Sequence, residues 1–186
     1  MTATTVKVHQ HASGAKKRAY HEETGRSKGG LTTKVHMVTD GLGNPLRILL
    51  SSGNKNDICM AQMMLEPFDL RGKLILADKG YDSDKFVRWI EKRGGIPVIP
   101  SRITAKHPRN TDWHIYKERH LVENLFLKLK HHRCFATRYE KKALCFHAVV
   151  SLACNPSLVA WMVLKQTLGC ECTLIQNLLP VRLTKA

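Results

Sequence analysis

Hydrophobic and polar positions along this chain alternate between two periods, and the changes of period divide it into short elements. A β-rich run, Thr4 to His9, predicts a short strand, and the polar, basic and glycine-containing stretch from His11 to Gly30 predicts a loop. Leu31 to Thr39 is rich in β-branched residues with partial alternation. The turn sequence Asp40-Gly-Leu-Gly-Asn-Pro45 and a second apolar run, Leu46 to Leu50, follow it, so the three together predict a hairpin. Ser51 to Asp57 is a loop and Ile58 to Leu65 a helix. Lys73 to Ala77 is a short apolar strand that ends on Asp78. Ser83 is placed to cap a helix from Asp84 to Arg93, which Gly94-Gly95 terminates. Ile96 to Pro100 is a further strand, and after the basic loop Ser101 to Arg109 one long helix is expected from Thr111 to His132. This order implies a mixed α/β domain with helices packed on a sheet.

Composition narrows the partners. The 186 residues suffice for a hydrophobic core, and an apolar share of 43% argues against disorder. Thirty lysines and arginines against 15 acids give a formal charge of +15, which points to a polyanion, nucleic acid foremost. The six cysteines (Cys59, Cys134, Cys145, Cys154, Cys170 and Cys172) lack C-x-x-C spacing and read as reduced thiols. The N-terminal segment has no apolar core of the kind a signal peptide needs. Ala143 to Leu164 carries no charge, but His147 and the Asn155-Pro156 break favour a buried helix or helix pair over a membrane span. Ten histidines show no H-E-x-x-H or facial arrangement and are assigned structural or phosphate-contacting roles.

Two acids stand out. Asp78 ends an apolar strand, where α/β folds commonly place reactive groups. The competing reading is a strand-to-helix turn in which Asp82 or Asp84 supports the helix start. With Tyr116 as origin, a helix places Arg119, Glu123 and Lys130 near about 300°, 340° and 320°, one narrow face beside an apolar stripe. A solvated face of a surface helix fits that periodicity too. Lys16, Lys17 and Arg18, then Arg102, Lys106 and Arg109, then Lys128 to Arg133 with Arg138, Lys141 and Lys142, form as a set a candidate path for DNA phosphates. No segment reads as a base-specific recognition helix.

Tyr116-x2-Arg119-x3-Glu123-x6-Lys130 matches the signature of the DDE transposases of bacterial insertion sequences. The surrounding YKERHLVENLFLKLKHHRCFATRYEKK resembles the group related to insertion sequences four and five, and LILADKGYDSD resembles that family's second acidic motif. GRSKGGLTTKVHMVTDGLGNPLRILLSSGNKND is similar to the strand region before that motif, and TTVKVHQHASGAKK to the segment after the first catalytic aspartate. The resemblance runs from Thr4 to Cys154. It implies an RNase H-like α/β fold, a mixed sheet with packed helices that is incomplete at the N-terminus. It further implies metal-dependent phosphoryl transfer at DNA ends with Mg²⁺ or Mn²⁺. Asp78 and Glu123 would be the second and third carboxylates and the metal ligands, with Tyr116, Arg119 and Lys130 orienting the site or contacting phosphate.

The first aspartate of that family aligns with Thr2, which cannot replace a carboxylate, and Asp40 and Asp57 stand at positions the family does not use. Asn155-Pro156 interrupts the family's last apolar helix, and KQTLGCECTLIQNLLPVRLTKA departs from it. The expectation is therefore a truncated copy, with a partial catalytic domain at 1–154 and a divergent tail at 155–186. It would be impaired in strand transfer, cytoplasmic in a bacterium, and nucleoid-associated when bound to DNA. Its partners would be DNA and a second copy or a full-length transposase, not a membrane. The rival readings are an inactive DNA-binding or dimerising remnant and an RNase H-fold nuclease of another type.

Overall fold

Strand formation begins where β-branched side chains crowd the helical conformation, and Thr2, Thr4, Thr5, Val6 and Val8 make the first segment such a place. The computed structural model describes residues 1–12, 23–102 and 109–155. β1 is Thr2–Val8, followed by a 3₁₀ turn at Gln10–Ala12, β2 (Gly25–Ser27), β3 (Gly30–Thr39) and β4 (Pro45–Ser52). Then come α1 (Ile58–Leu65), β5 (Leu74–Leu76), a 3₁₀ turn at Lys79–Tyr81, α2 (Asp84–Lys92) and β6 (Ile96–Val98). The remainder is α3 (Trp113–Tyr116), a 3₁₀ turn at Lys117–Arg119, α4 (His120–Lys130), α5 (Arg133–Ala136), β7 (Thr137–Arg138) and α6 (Ala143–Ala153). These elements define a mixed α/β fold.

β3 is the hub of the main sheet. It pairs antiparallel with β1 (Thr2 opposite Met37), with β2 and with β4, while β7 joins β1 in parallel at Lys7 and Val8. The hairpin turn is built as its sequence predicts. Asp40 accepts from the backbone of Leu42 and Asn44 and from the Asn44 side chain, all at 2.8–2.9 Å, and Gly43 supplies the positive φ of 87°. β5 and β6 form a separate parallel pair. The Met1 amino group donates to the Leu76 carbonyl, so the start of β1 abuts the end of β5.

Alternation along β3 splits the core between the two faces of the sheet. Val35 and Met37 pack with Val6, Val122, Phe126, Leu129, Phe135, Phe146 and Val150, which seats α4 and α6 on one face. Val38 packs with Ala61, Met64, Leu65, Tyr81, Phe86 and Ile90, which seats α1 and α2 on the other. Complete burial of one such aliphatic or aromatic side chain stabilises the fold by about 1.5–3 kcal/mol.

Four sequence expectations are corrected. The polar stretch 11–30 contains β2, whose three residues bury little and are ordered by backbone pairing to β3. β1 begins at Thr2, ahead of the expected Thr4. Ser83 stands at the N-cap of α2 but its side chain makes no capping bond. The helix expected over 111–132 is interrupted. Asp112 caps α3 by accepting from His114 and Ile115, while the backbone and Nδ1 of His120 both donate to the Lys117 carbonyl, tightening that turn to i→i+3 bonding.

Candidate active site

β5 delivers Asp78 to the end of the parallel pair and the chain then turns at once. Asp78 is half-buried; its Oδ1 caps the Lys79–Tyr81 turn by accepting from the Lys79 amide at 2.8 Å. The turn is held from the loop after β6. Arg102 donates from its guanidinium to the carbonyls of Lys79 and Gly80 at 3.3 Å, and from its amide to Asp82 at 2.7 Å. Arg109 pairs with Asp82 and, at 3.2 Å, with Asp84. Asp78 and Asp82 thus organise the turn, and Asp78 Oδ2 has no bond among the described residues.

On the other side, the break at 117–119 leaves Tyr116, Arg119 and Glu123 in one row. Arg119 lies over the Tyr116 ring, 5.5 Å from its centroid, and donates to Glu123 Oε1 at 2.5 Å. Glu123 is half exposed and Arg119 largely covered. The Tyr116 phenol is half-buried beside Arg119. Burial pushes its pKa up; Arg119 opposes this, and Asp78 and Glu123 both add to it. The Met1 amine lies in the same field, pushed down to about 5 by burial and Arg119 with Asp78 opposing.

Lys130 stands apart from this group, exposed and without an ion pair among the described residues. Lys128, Arg133 and Arg102 are exposed, the Arg102 guanidinium being engaged by the Lys79 and Gly80 carbonyls. Lys16, Lys17, Arg18 and Lys106 lie outside the described residues. Arg138 is corrected. It is completely buried beneath the Phe146 ring, donating to Glu140 O, Thr33 Oγ1 and Lys141 O, so it serves the interior and not a surface path.

Of the two acids outside the family's positions, Asp40 is engaged in its hairpin turn, whereas Asp57 pairs with Lys34 at 2.9 Å and lies beside Gly80 of the Asp78 turn. Sequence reasoning missed a buried polar group beneath the site. His36 Nε2 lies 2.7 Å from Ser51 Oγ and Nδ1 lies 3.4 Å from the Tyr81 hydroxyl, beside the Lys34–Asp57 pair. Its only signal was a histidine at an inward position of an alternating strand. Among the described residues, no three His, Cys, Asp or Glu side chains stand close enough together to hold a metal ion, and no helix is long and apolar enough to cross a membrane.

The family model described as the transposase DDE domain matches residues 3–155. The chain belongs to that family. It is 38% identical over 128 residues to a protein assigned as the transposase for insertion sequence element IS6501 of Brucella ovis, an alignment covering 67% of this chain and 95% of the relative. It is 32% identical over 153 residues to one assigned as the transposase for insertion sequence element IS402 of Burkholderia cepacia, covering 77% and 68% respectively. No solved structure gives a significant match.

Proposed function

We propose that residues 1–154 are an RNase H-like transposase catalytic domain that binds DNA and is built for phosphoryl transfer at element ends. Residues 155–186 are a divergent tail. The observation carrying this reading is the contact row Tyr116–Arg119–Glu123, with Arg119 over the Tyr116 ring and bonded to Glu123, in a chain whose β5 leads into Asp78. The antiparallel order β4-β3-β1, with the separate parallel pair β5-β6 abutting the start of β1 at the Met1–Leu76 bond, supports the fold assignment.

The residues present only partly suit a divalent ion. Carboxylate oxygens are the right donors for Mg²⁺ or Mn²⁺. Yet one oxygen of each acid is committed, to Lys79 and to Arg119, and the described residues hold no third ligand beside them. They do not complete a metal centre, so no chemical step is assigned through one. Where the family resemblance expects the first aspartate, β1 carries Thr2, buried and paired with Met37 on the face covered by α4. The chain as it stands binds phosphate through its exposed Lys128, Lys130 and Arg133 and is impaired in cleavage.

Nicking of supercoiled DNA in Mg²⁺ or Mn²⁺ tests this. Wild type is expected to be near background. Thr2→Asp should raise nicking by roughly 100-fold or more, a gain that Asp78→Ala abolishes. Robust metal-dependent nicking by wild type, lost on Asp78→Ala, would overturn the impairment. DNA binding with no nicking by any Thr2→Asp protein that folds would favour a purely DNA-binding remnant.

A further inference from the structure

The outer face of α2 bears a cationic cleft that the acid pair does not use. Lys85, Arg88 and Lys92 recur at i, i+3 and i+7 and fall within an arc of about 60°, turned away from the buried Phe86, Val87 and Ile90. All three are exposed, and none has an ion pair among the described residues. Asp84 is occupied by Arg109, and Glu91 pairs with none of them. Together with Trp89 and with Gln62 of α1 they line a cleft of 270 Å³.

The Trp89 wall is fixed. Its ring stacks on Phe86 at 6.0 Å and lies beneath the Arg93 guanidinium, 4.9 Å from its centroid. That guanidinium is itself anchored on the carbonyls of Glu66 and Phe68. Uncompensated cations held together on one arc cost repulsion that an anionic ligand removes. Lys85 and Lys92 are separated along the helix by about 10 Å, enough to follow two or three phosphates of one DNA strand.

We propose that this cleft binds the sugar-phosphate backbone of DNA without reading sequence, as a second contact surface that α2 carries away from the Asp78 turn. The inference rests on the DNA-binding part of the proposed function. It adds a specific groove that the basic segments recognised in the sequence do not include.

The test is fluorescence anisotropy with a labelled duplex of random sequence, in EDTA, over about 50 to 200 mM salt. Wild type is compared with Lys85→Gln/Arg88→Gln/Lys92→Gln and with a charge-matched control, Lys7→Gln/Arg26→Gln/Lys28→Gln, at exposed positions elsewhere. Loss of three phosphate contacts lowers the slope of log Kd against log salt by about 2–3 and weakens binding roughly tenfold or more, while the control changes much less. If the α2 variant retains the affinity and slope of the control, the cleft is overturned while the proposed function stands. If wild type shows no salt-dependent binding, both fall. Circular dichroism establishes folding of each variant; should the triple variant unfold, three single neutralisations, each expected to lower the slope by about one, read the same quantity.

Discussion

Arg138 donates from Nη1 to the hydroxyl of Thr33 at 2.8 Å, joining positions 105 residues apart. Thr33 Oγ1 in turn donates to the Glu23 carbonyl at 2.8 Å, so the guanidinium anchors a chain of bonds at the lower end of the main sheet. Its other nitrogens satisfy the carbonyls of Glu140 and Lys141, fixing the approach to α6. A planar donor fork can serve three acceptors at once in a way an ammonium cannot.

Arg138→Ala leaves those buried acceptors unsatisfied and should cost about 3–5 kcal/mol in chemical denaturation. Arg138→Lys keeps the charge but loses the fork and should recover only part of this. A variant of near wild-type stability with weakened DNA binding would instead return Arg138 to the phosphate path expected from its sequence context.

His36 gives the fold a pH dependence. Burial holds its imidazole down at about 4, with Asp57 pulling it up and Lys34 pushing it further down, and the Tyr81 hydroxyl and Ser51 face its ring nitrogens. The folded pKa is below the ordinary 6.5, so the unfolded chain takes up the proton first as pH falls. The neutral-histidine contribution is complete above pH 6.5 and is lost progressively down to about 4, on the order of 3 kcal/mol in all. Thermal melts of wild type and His36→Gln across this range should show wild type losing stability more steeply with acid. Parallel curves would refute the assignment.

How far the sequence revealed this molecule depended on whether an interaction was local. The β3–β4 hairpin was readable because Asp40, Gly43 and Asn44 dictate the turn by their own chemistry. α1 matched its expected bounds, Ile58–Leu65, and the strand before Asp78 was readable from its apolar residues, although β5 itself ends at Leu76. The Arg119–Glu123 contact is an i,i+4 pair and follows from helical spacing. The unread features are tertiary. β2 exists through pairing with β3, the break at 117–119 depends on a side-chain bond from His120, and nothing near Arg138 in sequence signals burial beneath Phe146.

Asp82 and Asp84 offer the sharpest contrast between equal charges in unequal surroundings. Both pair with Arg109, but the Asp82 side chain is 8% exposed and that of Asp84 is 82% exposed. Asp82 also accepts from the Arg102 amide, so it ties the Asp78 turn to the segment after β6. Asp82→Asn preserves shape and removes charge; it should cost about 1–3 kcal/mol and speed exchange of the Arg102 amide hydrogen by roughly ten- to hundredfold. Asp84→Asn, screened by water, should cost no more than about 1 kcal/mol and leave that amide protected. Equal effects of the two substitutions on stability and exchange would show that the turn carrying Asp78 is held by something other than Asp82.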